Sequence, residues 1–294
     1  MKRERKDLLQ FRKQKGRPLL LDGAIGTQLI ERGIEQDSSL WTSLANSNSP
    51  KIVKSVYEDY IKAGADIITS NTFRTNPLAA KSYGKAFTEK MIEAALEIAH
   101  KAAGNKEILI AGSNPPAEDC YQAERKVNIS VLEANHREHI ELLWEFGSDF
   151  ILNETQSHFD EIMIISEICS TMEIPFVVSL LIDEELRLLS GEKIEKVIPE
   201  ILRFSPAAIG INCVHPETFR RYHKENEINY NFGFYLNMGK SSHKVGVITG
   251  KLSPEDYLEE IEEYITDDLL FVGACCGSGP VHIKALRKHL DSLH

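Results

Sequence analysis

The sequence predicts an α/β fold: a single (β/α)8 (TIM) barrel with its active site at the carboxyl ends of the strands. Eight short β-branched or aliphatic runs alternate with eight helix-period stretches, and no Gly/Ser-rich or Pro-rich linker interrupts them. The runs are continuously apolar, as parallel strands are when helices cover the sheet. The length, 294 residues, suits one such barrel, for which about 250 residues is typical. A doubly wound open sheet is the competing arrangement. It predicts a glycine-rich phosphate loop after the first strand, which Asp22-Gly23-Ala24-Ile25-Gly26-Thr27 imitates only loosely. The glycine spacing differs from G-x-G-x-x-G, and no acidic ribose-binding residue ends the second run.

Residues 1–16 are rich in Lys and Arg and never reach the apolar stretch of a signal peptide, so they read as a basic helical or frayed arm at the N-terminus of a single domain spanning 1–294. The first strand is expected at 18–22. The second, 66–73, follows a helix over 50–63 that opens on Ser49-Pro50, with Pro at the first helical position and a capping hydroxyl before it. A long helical stretch, 78–103, leads to the third strand at 107–113, and a helix over 130–146 to the fourth at 149–154. Helices over 159–172 and 193–204 flank a fifth strand at 175–182. The sixth strand, 207–213, precedes a helix at 216–225, and the seventh is 230–237. Ser253-Pro254 opens a helix over 254–265, the eighth strand is 269–275, and a helix over 280–290 closes the series.

Lys plus Arg number 34 against 44 Asp plus Glu, a formal charge of −10. That balance argues against nucleic acid or an anionic membrane surface as partner, because both need a basic face. The longest apolar runs fall well short of the roughly 20 residues that span a bilayer. Five cysteines make an odd set in a chain this long, unlike the even framework of a small disulfide-stapled domain. A reducing cytoplasm, with thiols kept free, is the expected location.

In a barrel of this kind the chemistry sits where strands end, and the unusual polar residues fall there. They are Asp22 after the first strand, Asn71 and Thr72 at the second, Ser113 and Asn114 at the third, and Glu154 at the fourth. Asn212 and Cys213 end the sixth strand, and Cys275 and Cys276 the eighth. Closure of the ring would bring Cys213 to the same mouth as the Cys275-Cys276 pair. Three thiolates with an open fourth position suit a catalytic Zn²⁺ site. Neighbouring strand residues face opposite ways, but the glycines of Ala274-Cys275-Cys276-Gly277-Ser278-Gly279 allow a turn that swings the second thiol inward. On the residues alone, redox or packing roles stand beside the metal. Glu154 suits an amino group or a proton transfer, or else a cap or surface ion pair. His215 reads as a capping or surface residue and not a fourth ligand. Cys169, between isoleucines on a helix, reads as a small buried hydrophobe, Cys120 has no assigned partner, and Trp41 reads as a loop anchor.

Five stretches carry a resemblance: LLDGAIGTQLIERG (20–33), AGADIITSNTF (63–73), FILNET (150–155), IGINCVHP (209–216) and GACCGSGPVHIKALR (273–287). Together they run from the first strand to the eighth, and the chain resembles the homocysteine S-methyltransferase family, in which zinc activates a thiol for methylation. The resemblance implies a methyltransferase of methionine biosynthesis with Zn²⁺ as cofactor and Cys213, Cys275 and Cys276 as its ligands. It implies that Asp22 and Gly23 line the homocysteine site, and that Glu154 contacts the amino-acid end of homocysteine and serves catalysis. Asn212 falls beside the metal, and Thr72 and Phe73 fall in the turn lining the mouth.

Departures from the family pattern bear on the methyl donor. Betaine-using relatives enclose a quaternary ammonium in aromatic rings. Trp41 is retained here, but Arg74 and Thr155 stand where those relatives carry tyrosines, and a cationic Arg74 opposes betaine. The 114–121 loop, NPPAEDCY, also departs from the usual Gly-Pro-rich pattern. Folate- and cobalamin-dependent methionine synthases need further domains, for which this length is too short. The expected donor is therefore a sulfonium, S-methylmethionine or S-adenosylmethionine, with homocysteine as acceptor. Another thiol or selenol acceptor, or a zinc-binding barrel without turnover, are the alternatives. The oligomeric state has no signal in the sequence.

Overall fold

The computed structural model describes residues 4–239 and 250–293. Its strands are β1 (Leu19–Leu20), β2 (Ile67–Thr69), β3 (Leu109–Asn114), β4 (Phe150–Gln156), β5 (Phe176–Leu180), β6 (Ala208–Asn212), β7 (Phe232–Leu236) and β8 (Leu269–Ala274). The helices are α1 (Leu8–Lys15), α2 (Ile25–Glu31), α3 (Ala45–Asn48), α4 (Pro50–Ala63), α5 (Lys85–Ala103) and α6 (Ile129–Glu145). The series continues with α7 (Phe159–Thr171), α8 (Ile194–Leu202), α9 (Pro216–Glu225), α10 (Pro254–Ile261) and α11 (Pro280–Leu293). The strands form one parallel sheet in the order β1-β8-β7-β6-β5-β4-β3-β2. A parallel bridge between Leu21 and Ile67 links its outer members, with Asp22 N–H donating to the Ile67 carbonyl at 3.0 Å. The sheet is thus a nearly closed (β/α)8 barrel, and all strand residues are buried, as strands covered on both faces must be.

Two apolar layers result. The larger lies between strands and helices, where Val53, Val56, Tyr57 and Tyr60 of α4 meet Leu20 and Ile68. The smaller fills the barrel interior with Leu19, Leu21, Ile67, Leu109, Phe150 and Phe271, and Leu8 and Phe11 of α1 join it. The basic arm is therefore helical from Leu8 and acts as a plug; its residues 1–3 lie outside the described residues. Lys6 Nζ donates to the Ile108 carbonyl at 2.8 Å and Arg12 Nε to the Leu269 carbonyl at 3.1 Å. Those carbonyls stand at the starts of β3 and β8, so the plug closes the end opposite the strand termini that carry the polar residues.

Several elements differ from expectation for local reasons. The helix expected over 78–103 starts only at Lys85, because Leu78 N–H donates to Asn135 Oδ1 and Ala79 N–H to Asn76 Oδ1, holding the preceding segment in turns. The second strand stops at Thr69, where Thr72 N–H turns back to the Ser70 carbonyl at 2.8 Å. Ser253 forms a reciprocal capping box with Asp256, whereas Ser49 makes no side-chain cap. The helix expected to reach residue 265 tightens after Ile261 into a 3₁₀ turn, Glu262–Tyr264. Among the described residues no helix is long and apolar enough to cross a membrane.

Phe11 is 4% exposed, so Phe11→Ala should cost about 3–5 kcal/mol of stability in urea denaturation, the usual loss for an aromatic removed from a core. A loss under about 1 kcal/mol, typical of surface changes, would mean that α1 is not a plug.

Candidate metal centre

Strand β6 delivers Cys213 through a strained step. Cys213 has φ +57°, a left-handed conformation costing a non-glycine residue roughly 1–2 kcal/mol. Hydrogen bonds over-determine it: Cys213 N–H donates to the Tyr235 carbonyl at 3.1 Å, and Asn237 Nδ2 donates to the Cys213 carbonyl at 3.0 Å. Strand β8 delivers the pair. Cys275 N–H donates to the Leu236 carbonyl at 2.7 Å, and the Cys276 carbonyl accepts from Met238 N–H at 2.9 Å. A turn follows, closed by Ser278 N–H on the Cys275 carbonyl at 3.1 Å, with Gly277 at φ +87°. This glycine permits the left-handed step through which both adjacent thiols reach one side.

The three sulfurs meet. Cys213 and Cys276 Sγ are 3.4 Å apart, Cys275 and Cys276 Sγ 3.9 Å, and all three lie within 4.8 Å of one another. A tetrahedral thiolate set with metal–sulfur bonds of about 2.3 Å puts its sulfurs about 3.8 Å apart, so the cluster matches the span of a thiophilic divalent ion. The electrostatics agree. Hydrogen bonds from Cys275 and Cys276 pull the Cys213 thiol well below its ordinary pKa, while donation to Cys213 pushes Cys275 well above it. A dication would let all three ionise.

Around the sulfurs lies a cavity of about 840 Å³ lined by Asp22, Gly23, Trp41, Phe73, Arg74, Tyr121, Glu154 and the three cysteines, among others. Glu154 Oε1 accepts from Ser113 Oγ, and Oε2 from Tyr235 OH at 3.4 Å. Burial pushes the Glu154 carboxyl up to about 7, against the pull of the Ser113 hydrogen bond. Asp22 takes Thr69 N–H at 2.8 Å and Thr69 Oγ1 at 2.9 Å, yet burial still raises it well above the usual carboxylate range. Gly23 and Gly26 serve close packing, not a phosphate: a Cβ on Gly23 would lie 2.7 Å from Ser278 Oγ, and one on Gly26 2.2 Å from the Trp41 ring. Trp41, at φ +51°, packs edge-on to Phe73 with centroids 6.0 Å apart.

Thr72 and Asn212 stand off the cavity wall. Thr72 Oγ1 donates to the Ser113 carbonyl at 2.9 Å. Asn212 spends both amide atoms on Thr155, accepting from its N–H and donating to its Oγ1, each at 2.9 Å. It thereby holds Thr155 at φ +60° and aims the chain just after Glu154. His215 lies outside the sulfur cluster; its Nδ1 accepts from Glu217 N–H at 3.2 Å, capping α9. Cys169 is fully buried in α7, and Cys120 is buried at the cavity wall. Asn114 is structural, its Oδ1 accepting from His139 Nδ1 at 2.8 Å and its Nδ2 donating to Asn153 Oδ1 at 2.7 Å.

Two side chains that reach the site had no signal in the sequence. Tyr121 lies in the aperiodic 114–121 loop, yet its hydroxyl is 3.3 Å from Cys213 Sγ. Tyr235 sits inside an apolar strand and reads there as core, yet its hydroxyl meets Glu154.

The family model described as homocysteine S-methyltransferase matches residues 19–290 of this chain. The homocysteine S-methyltransferase of Escherichia coli K12 is 27% identical, with 92% of this chain and 94% of that protein covered. A selenocysteine Se-methyltransferase of Brassica oleracea var. italica is 25% identical, with 95% and 91% covered. Among solved structures, the metallated form of the Escherichia coli homocysteine methyltransferase MmuM superposes with a TM-score of 0.79 at 25% identity, over 96% of this chain and 99% of that one.

The sulfur cluster yields a direct expectation. Metal-free protein titrated with Zn²⁺ against a chromophoric chelator should bind one ion per chain, and Cys276→Ser should weaken binding by more than about 100-fold, beyond the 10–100-fold loss of an outer hydrogen-bond partner. Unchanged affinity in that variant would remove Cys276 from the site.

Proposed function

Because the chain belongs to the homocysteine S-methyltransferase family, we propose that it is a zinc-dependent enzyme that moves a methyl group from a sulfonium donor to homocysteine, giving methionine. The observation that carries this reading is the convergence of Cys213, Cys275 and Cys276 in a cavity that also holds two buried carboxylates. Cys213, Cys275 and Cys276 would hold the metal. When bound, zinc supplies a Lewis-acid site that keeps the acceptor sulfur deprotonated at neutral pH, where a free thiol with pKa about 8.5 is mostly protonated.

The chain's own residues do the rest. Asp22 and Glu154 face the homocysteine ammonium, Gly23 lines the cavity beside Asp22, and Phe73 with Trp41 walls the donor side. Thr72 and Asn212 act one step back, fixing Ser113 and Thr155. The acceptor sulfur attacks the sulfonium methyl carbon in line as the donor's carbon–sulfur bond breaks. Its electron pair leaves on the donor as a neutral thioether, and the thiol proton goes to solvent. No acyl or phosphoryl group develops charge, so the rate comes from holding two sulfurs on opposite sides of one carbon. Free thiols at all five described cysteines suit a reducing compartment, and we assign the enzyme to the cytoplasm.

The likeness to a selenocysteine Se-methyltransferase favours one further reading, in which a selenol takes the place of the thiol with the same ligands and geometry.

A turnover assay with homocysteine and a panel of methyl donors tests the reading; zinc-loaded protein that methylates neither homocysteine nor a selenol with any sulfonium would overturn it. The pH dependence has a definite sign. Glu154, pushed up to about 7, is neutral below that pH and cannot pair with an ammonium; the KM for homocysteine should fall as pH rises through about 7 and then level. Glu154→Gln should raise KM and flatten that step, and a variant that kept the step would exclude Glu154 as its origin.

A further inference from the structure

Arg74 is the single cation among the described residues lining the cavity, whose carboxylates are Asp22, Asp37, Asp119 and Glu154. An arginine among four acids would be expected to pair with one of them. It does not: no carboxylate of the described residues lies within ion-pairing distance of Arg74. Its one hydrogen bond runs from a terminal guanidinium nitrogen to the Glu118 carbonyl at 3.2 Å. The remaining N–H donors of its fixed five-donor fork make no protein hydrogen bond among the described residues. The acids beside it are already engaged, Asp37 by the Ser39 and Leu40 amides and Asp119 by the Tyr121 amide.

The backbone that carries Arg74 is held firmly. Thr75 N–H and Oγ1 both return to the Thr72 carbonyl at 3.1 Å, and Thr75 Oγ1 meets His139 Nε2 at 3.0 Å. The guanidinium carbon lies 5.7 Å from the Phe73 ring centroid, and Phe73 in turn meets Trp41. A half-buried cation in a locked turn, beside an aromatic wall and without a carboxylate partner, is arranged to receive an anion from outside the protein.

We propose that Arg74 recognises the carboxylate of the methyl donor, and so favours sulfonium donors that carry one. This deepens the reading of the site as a sulfonium-dependent methyltransferase and rests on it. Arg74 repels the sulfonium and attracts the carboxylate. The donor is therefore oriented end for end before its methyl group meets the acceptor. The acceptor's ammonium has its own partners in Asp22 and Glu154, buried at the strand ends, while Arg74 stands in the loop beyond β2. A planar, bidentate fork is the group suited to a carboxylate, which makes this a specificity-determining residue.

The test is equilibrium binding by calorimetry to zinc-loaded wild-type protein and to Arg74→Gln. S-Methylmethionine and S-adenosylmethionine are each titrated beside the decarboxylated counterpart, and homocysteine is titrated as the internal control. Loss of a charge-assisted hydrogen bond should weaken the carboxylate-bearing donor by about 10- to 100-fold. The decarboxylated counterpart should bind both proteins equally and about as weakly as the intact donor binds Arg74→Gln. Homocysteine affinity should stay within about twofold, which also shows that the variant is folded. Four results would overturn the proposal: unchanged donor affinity, equal losses for donor and decarboxylated counterpart, a loss confined to homocysteine, or no binding of either donor to the wild type. A separate turnover assay keeps the two readings apart. Donor binding that depends on Arg74 without methyl transfer leaves Arg74 assigned and overturns the proposed activity, and transfer without that dependence does the reverse.

Discussion

Three thiols packed within 4.8 Å of one another impose a charge problem that organises the whole upper face of the barrel. Two unit charges 4 Å apart repel by about 4 kcal/mol at the effective dielectric of a protein site, so three thiolates cannot coexist there without a cation. Contacts among the three sulfurs pull the Cys213 thiol well below its ordinary pKa and push those of Cys275 and Cys276 well above it. The arrangement therefore suits a divalent ion. Its rigidity is backbone rigidity. Carbonyls and amides of β7 and the residues just beyond it hold Cys213 on one side and Cys275 and Cys276 on the other.

The side chains behind the site are equally committed. Asn212 and Thr155 exchange two hydrogen bonds across the ends of β6 and β4, and Asn114 ties α6 to β4 through His139 and Asn153. Burial holds His139 neutral, with its pKa down to about 3, so this support carries no charge that would compete with the site. Buried polar groups of this kind are costly unless fully paired. Their concentration at one end, opposite the apolar plug formed by Leu8 and Phe11, divides the barrel into a chemical end and a structural end. The cavity at the chemical end combines the carboxylates of Asp22, Asp37, Asp119 and Glu154 with Arg74, the single cation among its described lining residues.

The barrel was legible in the sequence because its signals are local. Continuous apolar runs such as 207–213 and 269–275, punctuated by Pro at helix starts such as Pro216 and Pro280, repeat often enough to define strand and helix order. Polar residues at the ends of those runs marked Asp22, Glu154, Cys213 and Cys275 for the same reason, since an apolar strand that ends in Asn-Cys or Glu-Thr is chemically conspicuous. Element boundaries were less legible where a distant side chain decides them. Asn135, on α6, helps to hold the segment before α5 in turns, and no pattern within 78–103 records it.

By itself, then, the sequence determined the order of elements, the strand ends at which chemistry would gather, and the glycine-flanked Cys275-Cys276 pair, because each depends on residues adjacent along the chain. Only the tertiary structure decided the rest. It distinguished Glu154, which faces the cavity, from Asn212, which spends its amide on Thr155, although both end apolar strands. It brought Tyr121 to Cys213 and Tyr235 to Glu154, and left Arg74 in an acidic cavity without an acidic partner among the described residues. The physical reason is closure. When eight strands form a ring, loops far apart in sequence share one mouth, and the partners of a polar side chain there are set by that geometry and not by its neighbours along the chain.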